Sequence, residues 1–147
     1  EYYPKIGDFG MSVSFDPNSS SSNPGSPGKQ MYMAPEVARR SKFDPSLADS
    51  YSIGVMIFMM LTGYPPYEKP SNFDKRFELI QSHGERGIRH LIKCFGSSAS
   101  DCAISLLAGL LAPKHSRMSV SEAMSHNFFK KCQKPNRIPE FVLQTRD

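Results

Sequence analysis

Apolar positions are unevenly spread along this chain, and their densest run is Ile53–Leu61, interrupted only by Gly54. A helix with one face in water repeats polar residues every three or four positions. This run has none, so the stretch Ala48–Gly63 (ADSYSIGVMIFMMLTG) reads as a helix enclosed on all sides, with the rest of the chain packed around it. Asp49 suits its start, and Gly63 ahead of Tyr64-Pro65-Pro66 suits its end. A membrane span needs about 20 apolar residues, and this run is too short for one.

Further elements follow from the same patterning. Tyr2–Gly7 reads as a short strand. Ser12–Gly28 is rich in Ser, Pro, Gly and Asn and holds too few apolar residues to bury itself, which predicts a mobile loop. Order resumes at Gln30–Ala38, where Pro35 and then Glu36 suit a first helical turn. Phe73, Phe77 and Ile80 make a helical face, Gly84 and Gly87 break it, and Leu91, Ile92 and Phe95 resume it. Ser100 is an N-cap candidate for a helix to Ala112 that carries Ile104, Leu107 and Leu111 on one face. Ser119-Val120-Ser121-Glu122 has the form of a capping box opening a short helix to His126, and Phe128 and Phe129 close the globular part. Beyond them, Pro135 and Pro139 mark an extended tail or a short docking segment.

Composition narrows the classes. The 147 residues, with 39% apolar and 22% charged, suit one soluble domain with a core. The net charge of +4 is modest, and much of the excess sits in Lys130, Lys131, Lys134 and Arg137. Such a tail reads as solvated rather than as a nucleic-acid or lipid contact, and no run interleaves basic with aromatic residues. Neither a nucleic-acid nor a membrane partner is expected. Cys94, Cys102 and Cys132 form no CxxC pair, and the four histidines add no zinc spacing. Reduced thiols point to an intracellular, cytoplasmic setting.

The chemistry lies in an ordered series of short motifs, each weak alone. Asp8-Phe9-Gly10 is followed by the Ser-rich loop, Tyr32-Met33-Ala34-Pro35-Glu36, Asp49-Ser50-Tyr51-Ser52-Ile53-Gly54, Arg117 and His126. From Lys5 to about Phe129 this series resembles the C-terminal half of a eukaryotic protein kinase domain. The resemblance implies a mainly α fold: a kinase C-lobe portion, helical, with a short N-terminal strand and a long flexible activation loop. Residues 1–129 would be the partial domain and 130–147 a C-terminal tail.

By resemblance, Asp8 binds the Mg²⁺ that bridges the ATP phosphates. A hard cation calls for such an oxygen ligand. Phe9 and Gly10 complete that cofactor-binding motif. Ser12–Gly28 corresponds to the activation loop, with Ser19, Ser20, Ser21, Ser22 and Ser26 as candidate phosphorylation sites for an upstream kinase; a disordered insertion is the alternative. Lys29, Met31, Tyr32, Met33 and Ala34 correspond to the platform for protein substrates. Glu36 and Arg117 correspond to a buried ion pair, and Asp49 to an aspartate that bonds the catalytic-loop backbone, a role compatible with an N-cap.

The sequence departs from the family in places. Lys29 stands where Ser/Thr members usually carry Thr, which admits a pseudokinase. Tyr51 replaces a usual Trp, and Met59 stands where some arginine-directed members carry Glu. The Gly-rich loop, the small-lobe lysine and the catalytic loop with its Asp and Asn belong upstream of Asp8 in the family, so no catalytic residue is assigned here. The implied function is ATP-dependent phosphoryl transfer to serine or threonine of proteins, with these 147 residues alone expected to be inert. The alternative is a pseudokinase-type scaffold without catalysis. With the family's earlier helices missing, Val55, Phe58 and Met59 are expected to lose part of their cover.

Overall fold

A computed structural model describes residues 5–12 and 28–130. The Ser-rich loop from residue 13 to 27 with its candidate phosphorylation sites, Cys132, and the tail after Lys130 lie outside the described residues.

The centre is an 18-residue helix, α2, Pro45–Thr62. It starts earlier than Asp49. Asp44 is extended, and its Oδ1 accepts the amides of Ser46 (2.8 Å) and Leu47 (3.3 Å). Pro45 takes the first helical position, where its missing N–H costs nothing. Asp49 is therefore an exposed mid-helix residue and not the cap. Gly63 ends the helix in the left-handed region (φ 78°), where a side chain would be strained, and its amide bonds the Met59 carbonyl.

Nor is α2 enclosed on all sides. Tyr51, Gly54, Val55, Phe58 and Thr62 are buried at helical spacing, so Val55 and Phe58 keep their cover. Met60 on the other side is 78% exposed, and Met56 is also exposed. An all-apolar helix offers every face, and its neighbours choose which is used. Here the Gln30–Tyr32 turn, α5 (Asp101–Leu110) and α6 (Val120–Met124) pack on it. Gly54 permits the closest approach: a Cβ there would lie 2.9 Å from Leu110 Cβ and 3.0 Å from Leu111 Cδ2.

Around this axis α3 (Lys75–His83) packs on α4 (Glu85–Cys94), and α4 on α5. Their inner faces join α2 in one core with Tyr51, Val55, Phe58, Tyr67, Phe77, Ile88, Ile104 and Leu107. Burying each large apolar side chain contributes about 1.5–3 kcal/mol relative to exposure. A second cluster joins Leu106, Leu110 and Ala123 with Phe128 of α7 (Asn127–Lys130). The Ser119 capping box is formed: Ser119 Oγ accepts the Glu122 amide, and the Glu122 carboxylate accepts the Ser119 amide. That helix ends at Met124, short of His126.

Two further expectations change. Of the strand placed at Tyr2–Gly7, residues 5–7 are irregular and residues 1–4 lie outside the described residues. A strand needs a partner edge, and no strand lies among the described residues to supply one. Phe73 does not share the face of Phe77 and Ile80. Asp74 caps α3, which leaves Phe73 in the preceding turn, almost wholly exposed.

Candidate functional site

The described residues concentrate buried charge at one point, where Glu36 meets Arg117. Ala34 is extended and Pro35 opens the single-turn helix α1, Pro35–Ala38. That geometry turns Glu36 inward. Arg117 follows the 3-10 turn Lys114–Ser116 with an extended backbone. Its Nη1 donates to Glu36 Oε1 (2.5 Å) and its Nη2 to Oε2 (2.9 Å), a two-pronged pair. Nη1 also donates to the Leu47 carbonyl (3.0 Å), and Nε to that of Ala112 (3.0 Å). The Arg117 side chain is fully buried. One guanidinium thus ties α1, the first turn of α2 and the exit of α5.

The same guanidinium lies 4.7 Å from the Tyr51 ring centre. Tyr67 donates a hydrogen bond of 2.7 Å to the Tyr51 hydroxyl, and both rings are completely buried. Burial pushes both phenols well above the ordinary tyrosine value, so both stay neutral. Burial also pushes Glu36 upward, but the Arg117 hydrogen bonds and charge, together with a backbone hydrogen bond and the Lys114 charge, outweigh it, and its carboxyl sits below the ordinary range. Asp49 has no such partner; although its side chain reaches the surface, the surrounding protein pushes its carboxyl up.

This cluster underlies the segment 29–34. Gln30–Tyr32 forms a 3-10 turn with Lys29 as its N-cap residue. Met33 and Ala34 are buried, Met31 and Tyr32 half-buried, and Lys29 exposed. Ser52 of α2 donates to the Tyr32 carbonyl (2.9 Å), fastening the turn to the central helix. The segment is therefore rigid at its base and open at Lys29.

Asp8-Phe9-Gly10 is not joined to this cluster by any hydrogen bond or ion pair among the described residues. Asp8 has a left-handed backbone (φ 63°, ψ 63°) and leads a 3-10 turn, Phe9–Met11. Asp8, Phe9 and Gly10 are all exposed, and no described group bonds the Asp8 carboxylate. Its donor chemistry fits one oxygen ligand of a hard cation such as Mg²⁺. No group of three or more His, Cys, Asp or Glu side chains placed to hold a metal occurs among the described residues.

Beside the 29–34 segment lies a cavity of about 390 Å³, walled by Gln30, Ala38 and Arg39 on one side and Lys69–Phe73 on the other. Asp74 shapes the second wall. Its Oδ2 accepts the amides of Glu68 (2.8 Å) and Lys69 (3.4 Å), and its Oδ1 those of Arg76 (3.0 Å) and Phe77 (3.2 Å). Partial burial works upward on Asp74, but these four amides hold its carboxyl below the ordinary value.

Sequence reasoning did not find Tyr67, the cavity, or the carbonyls of Leu47 and Ala112. Asp44-Pro45, a cap followed by a first-position proline, was a readable signal for the start of α2. The Tyr51–Tyr67 bond and the cavity carry no such signal, because they join residues far apart in the chain.

Comparison with known proteins bears on these residues. The family model described as "Protein kinase domain" matches residues 1–129. Serine/threonine-protein kinase SAPK3 of Oryza sativa subsp. indica is 34% identical over 139 residues, 92% of this chain and 39% of that protein. Serine/threonine-protein kinase SRK2A of Arabidopsis thaliana is 33% identical over 86% of this chain and 34% of its own length. Serine/threonine-protein kinase SAPK5 of Oryza sativa subsp. japonica is 35% identical over 86% of this chain and 33% of its own length. The chain thus spans between a third and two fifths of these curated relatives. Among the described residues no helix is long and apolar enough to cross a membrane.

Proposed function

The chain belongs to the protein kinase family, and from that premise we propose that it is part of a serine/threonine protein kinase that transfers phosphate from ATP to protein hydroxyls. The observation that carries this reading is the buried Glu36–Arg117 pair, which fastens Ala34-Pro35-Glu36, and with it the 29–34 segment, to α2 and α5. Phosphoryl transfer asks the protein mainly for positioning and electrostatics. A peptide shelf held to a rigid helix meets the first demand.

In this reading Lys29, Met31, Tyr32, Met33 and Ala34 carry the acceptor segment of a protein substrate. Asp8 would hold Mg²⁺ on the ATP phosphates, with Phe9 and Gly10 shaping the turn beside it. Bound Mg²⁺ neutralises charge developing on the transferred group. Glu36 and Arg117 keep the shelf in place and touch no reacting atom. Asp49, exposed on α2, would bond the backbone of the family's catalytic loop. Phosphorylation within the 13–27 segment, at Ser19–Ser22 or Ser26, would be the regulatory input.

The test is ATP-dependent labelling by the full-length protein of peptide libraries with Ser, Thr or Tyr acceptors. Transfer to Ser and Thr but not Tyr is expected, and Asp8→Asn should lower kcat at least about 100-fold. Unchanged activity in Asp8→Asn would overturn the assignment of Asp8. Lys29, standing where a threonine is usual, favours a second reading: a non-catalytic binding module. Peptide binding without any transfer by the full-length protein would select it.

A further inference from the structure

Three features meet at the 390 Å³ cavity beside the 29–34 segment. Arg39 and Lys69 both line it, both are exposed, and neither side chain has a bonding partner among the described residues. No carboxylate lines it. The neighbouring acids are engaged elsewhere: Asp74 holds four backbone amides, and Glu68 faces Arg76 at 3.9 Å. The third feature is Phe73, a lining residue that is 99% exposed. A single exposed aromatic is ordinary. One on the rim of a groove with two uncompensated cations is a composite surface with a definite complement. Asp74 fixes the backbone that carries Lys69 and Phe73, so less ordering remains to be done on binding.

We infer that this groove is a specificity site for a segment of the protein substrate that carries a carboxylate side chain together with an apolar one. The carboxylate lies between Arg39 and Lys69, and the apolar side chain covers Phe73. The inference rests on the reading of the 29–34 segment as the substrate shelf, because the groove opens beside Gln30 in that segment. It gives the enzyme a preference that the 29–34 segment alone does not supply.

The experiment uses the full-length protein and two fluorescent serine peptides of equal length. One carries Glu and Leu near the serine, the other Lys and Ser at those places. Anisotropy without nucleotide measures binding, and phosphate transfer to the same peptides is measured in parallel. The Glu/Leu peptide should bind at least about fivefold tighter, with the difference shrinking as salt is raised. Arg39→Glu combined with Lys69→Glu should reverse the preference toward the Lys peptide. Phe73→Ser should weaken the Glu/Leu peptide alone. Unfolding midpoints control for folding, and Arg39→Gln with Lys69→Gln, which should abolish the preference, serves if the reversed variant does not fold. Equal binding of both peptides, or a preference that survives neutralisation of both cations, overturns the inference. Transfer to both peptides with no preference would remove the groove and leave the kinase reading standing. A charge-dependent preference in binding without transfer would do the opposite.

Discussion

Removing the Arg117 guanidinium should be the most damaging single change available in the described residues. Arg117→Ala deletes both bonds to Glu36 and those to the Leu47 and Ala112 carbonyls. It leaves the Glu36 carboxylate buried without a cation. Breaking one side of a buried pair costs about 3–5 kcal/mol. Whole domains are stable by only about 5–15 kcal/mol, so roughly a fifth or more of the total is at stake. Replacing both partners by apolar residues, as in Glu36→Leu with Arg117→Met, should cost less than Arg117→Ala alone, because no charge is stranded. The two stranded carbonyls keep it from being free, at about 1 kcal/mol each.

Acid sharpens the test. In the native protein Glu36 titrates below its unfolded value of 4.5, so its contribution is complete above that pH and is lost as pH falls through the lower folded value. In Arg117→Ala burial, the largest influence on Glu36, is opposed only by a backbone hydrogen bond and the Lys114 charge, and it pushes Glu36 above 4.5. The folded variant then prefers the proton and gains stability relative to the native protein as pH falls from 7 to 5. Urea unfolding followed by circular dichroism at both pH values measures this. A loss under about 1 kcal/mol at pH 7, or a gap that fails to narrow by pH 5, would refute the reasoning.

Three smaller perturbations probe the frame. In the 147 residues alone, Asp44→Ala should cost about 1 kcal/mol by uncapping α2, whereas Asp49→Asn should be neutral or slightly stabilising at pH 7, since burial already disfavours the Asp49 charge; urea midpoints compare the two. Tyr67→Phe should cost about 1–2 kcal/mol by depriving the buried Tyr51 hydroxyl, and adding Tyr51→Phe should cost less than the sum of the two single changes in a double-variant cycle. Gly54→Ala should destabilise by about 1 kcal/mol, because separating α2 from α5 outweighs the better helix propensity; thermal unfolding reads this directly.

Much of the helical plan was legible from local rules. Pro35 at a first turn, Gly63 at an end, Ser100 as a cap and the Ser119–Glu122 box all appear where the chain places them, because caps and left-handed glycines act within a turn of their own position. The order of Asp8-Phe9-Gly10, Ala34-Pro35-Glu36, Asp49 and Arg117 likewise pointed to the family. Hydrophobicity alone misled where it had to choose a direction. Ile53–Leu61 reads the same on every side, yet Met56 and Met60 face outward. Phe73 looked like a core residue until Asp74 claimed the cap.

The sequence by itself determined which stretches are helical, several of their caps and which side chains could carry charge or hold a metal, since those depend on neighbours a few bonds away. Tertiary structure alone decided that the Arg117 guanidinium would reach Glu36, Leu47 and Ala112 at once, that the Tyr51 and Tyr67 hydroxyls would meet, and that Arg39 and Lys69 would face one groove. Each of these joins separate segments, and only the packing of the whole core brings such segments within bonding distance.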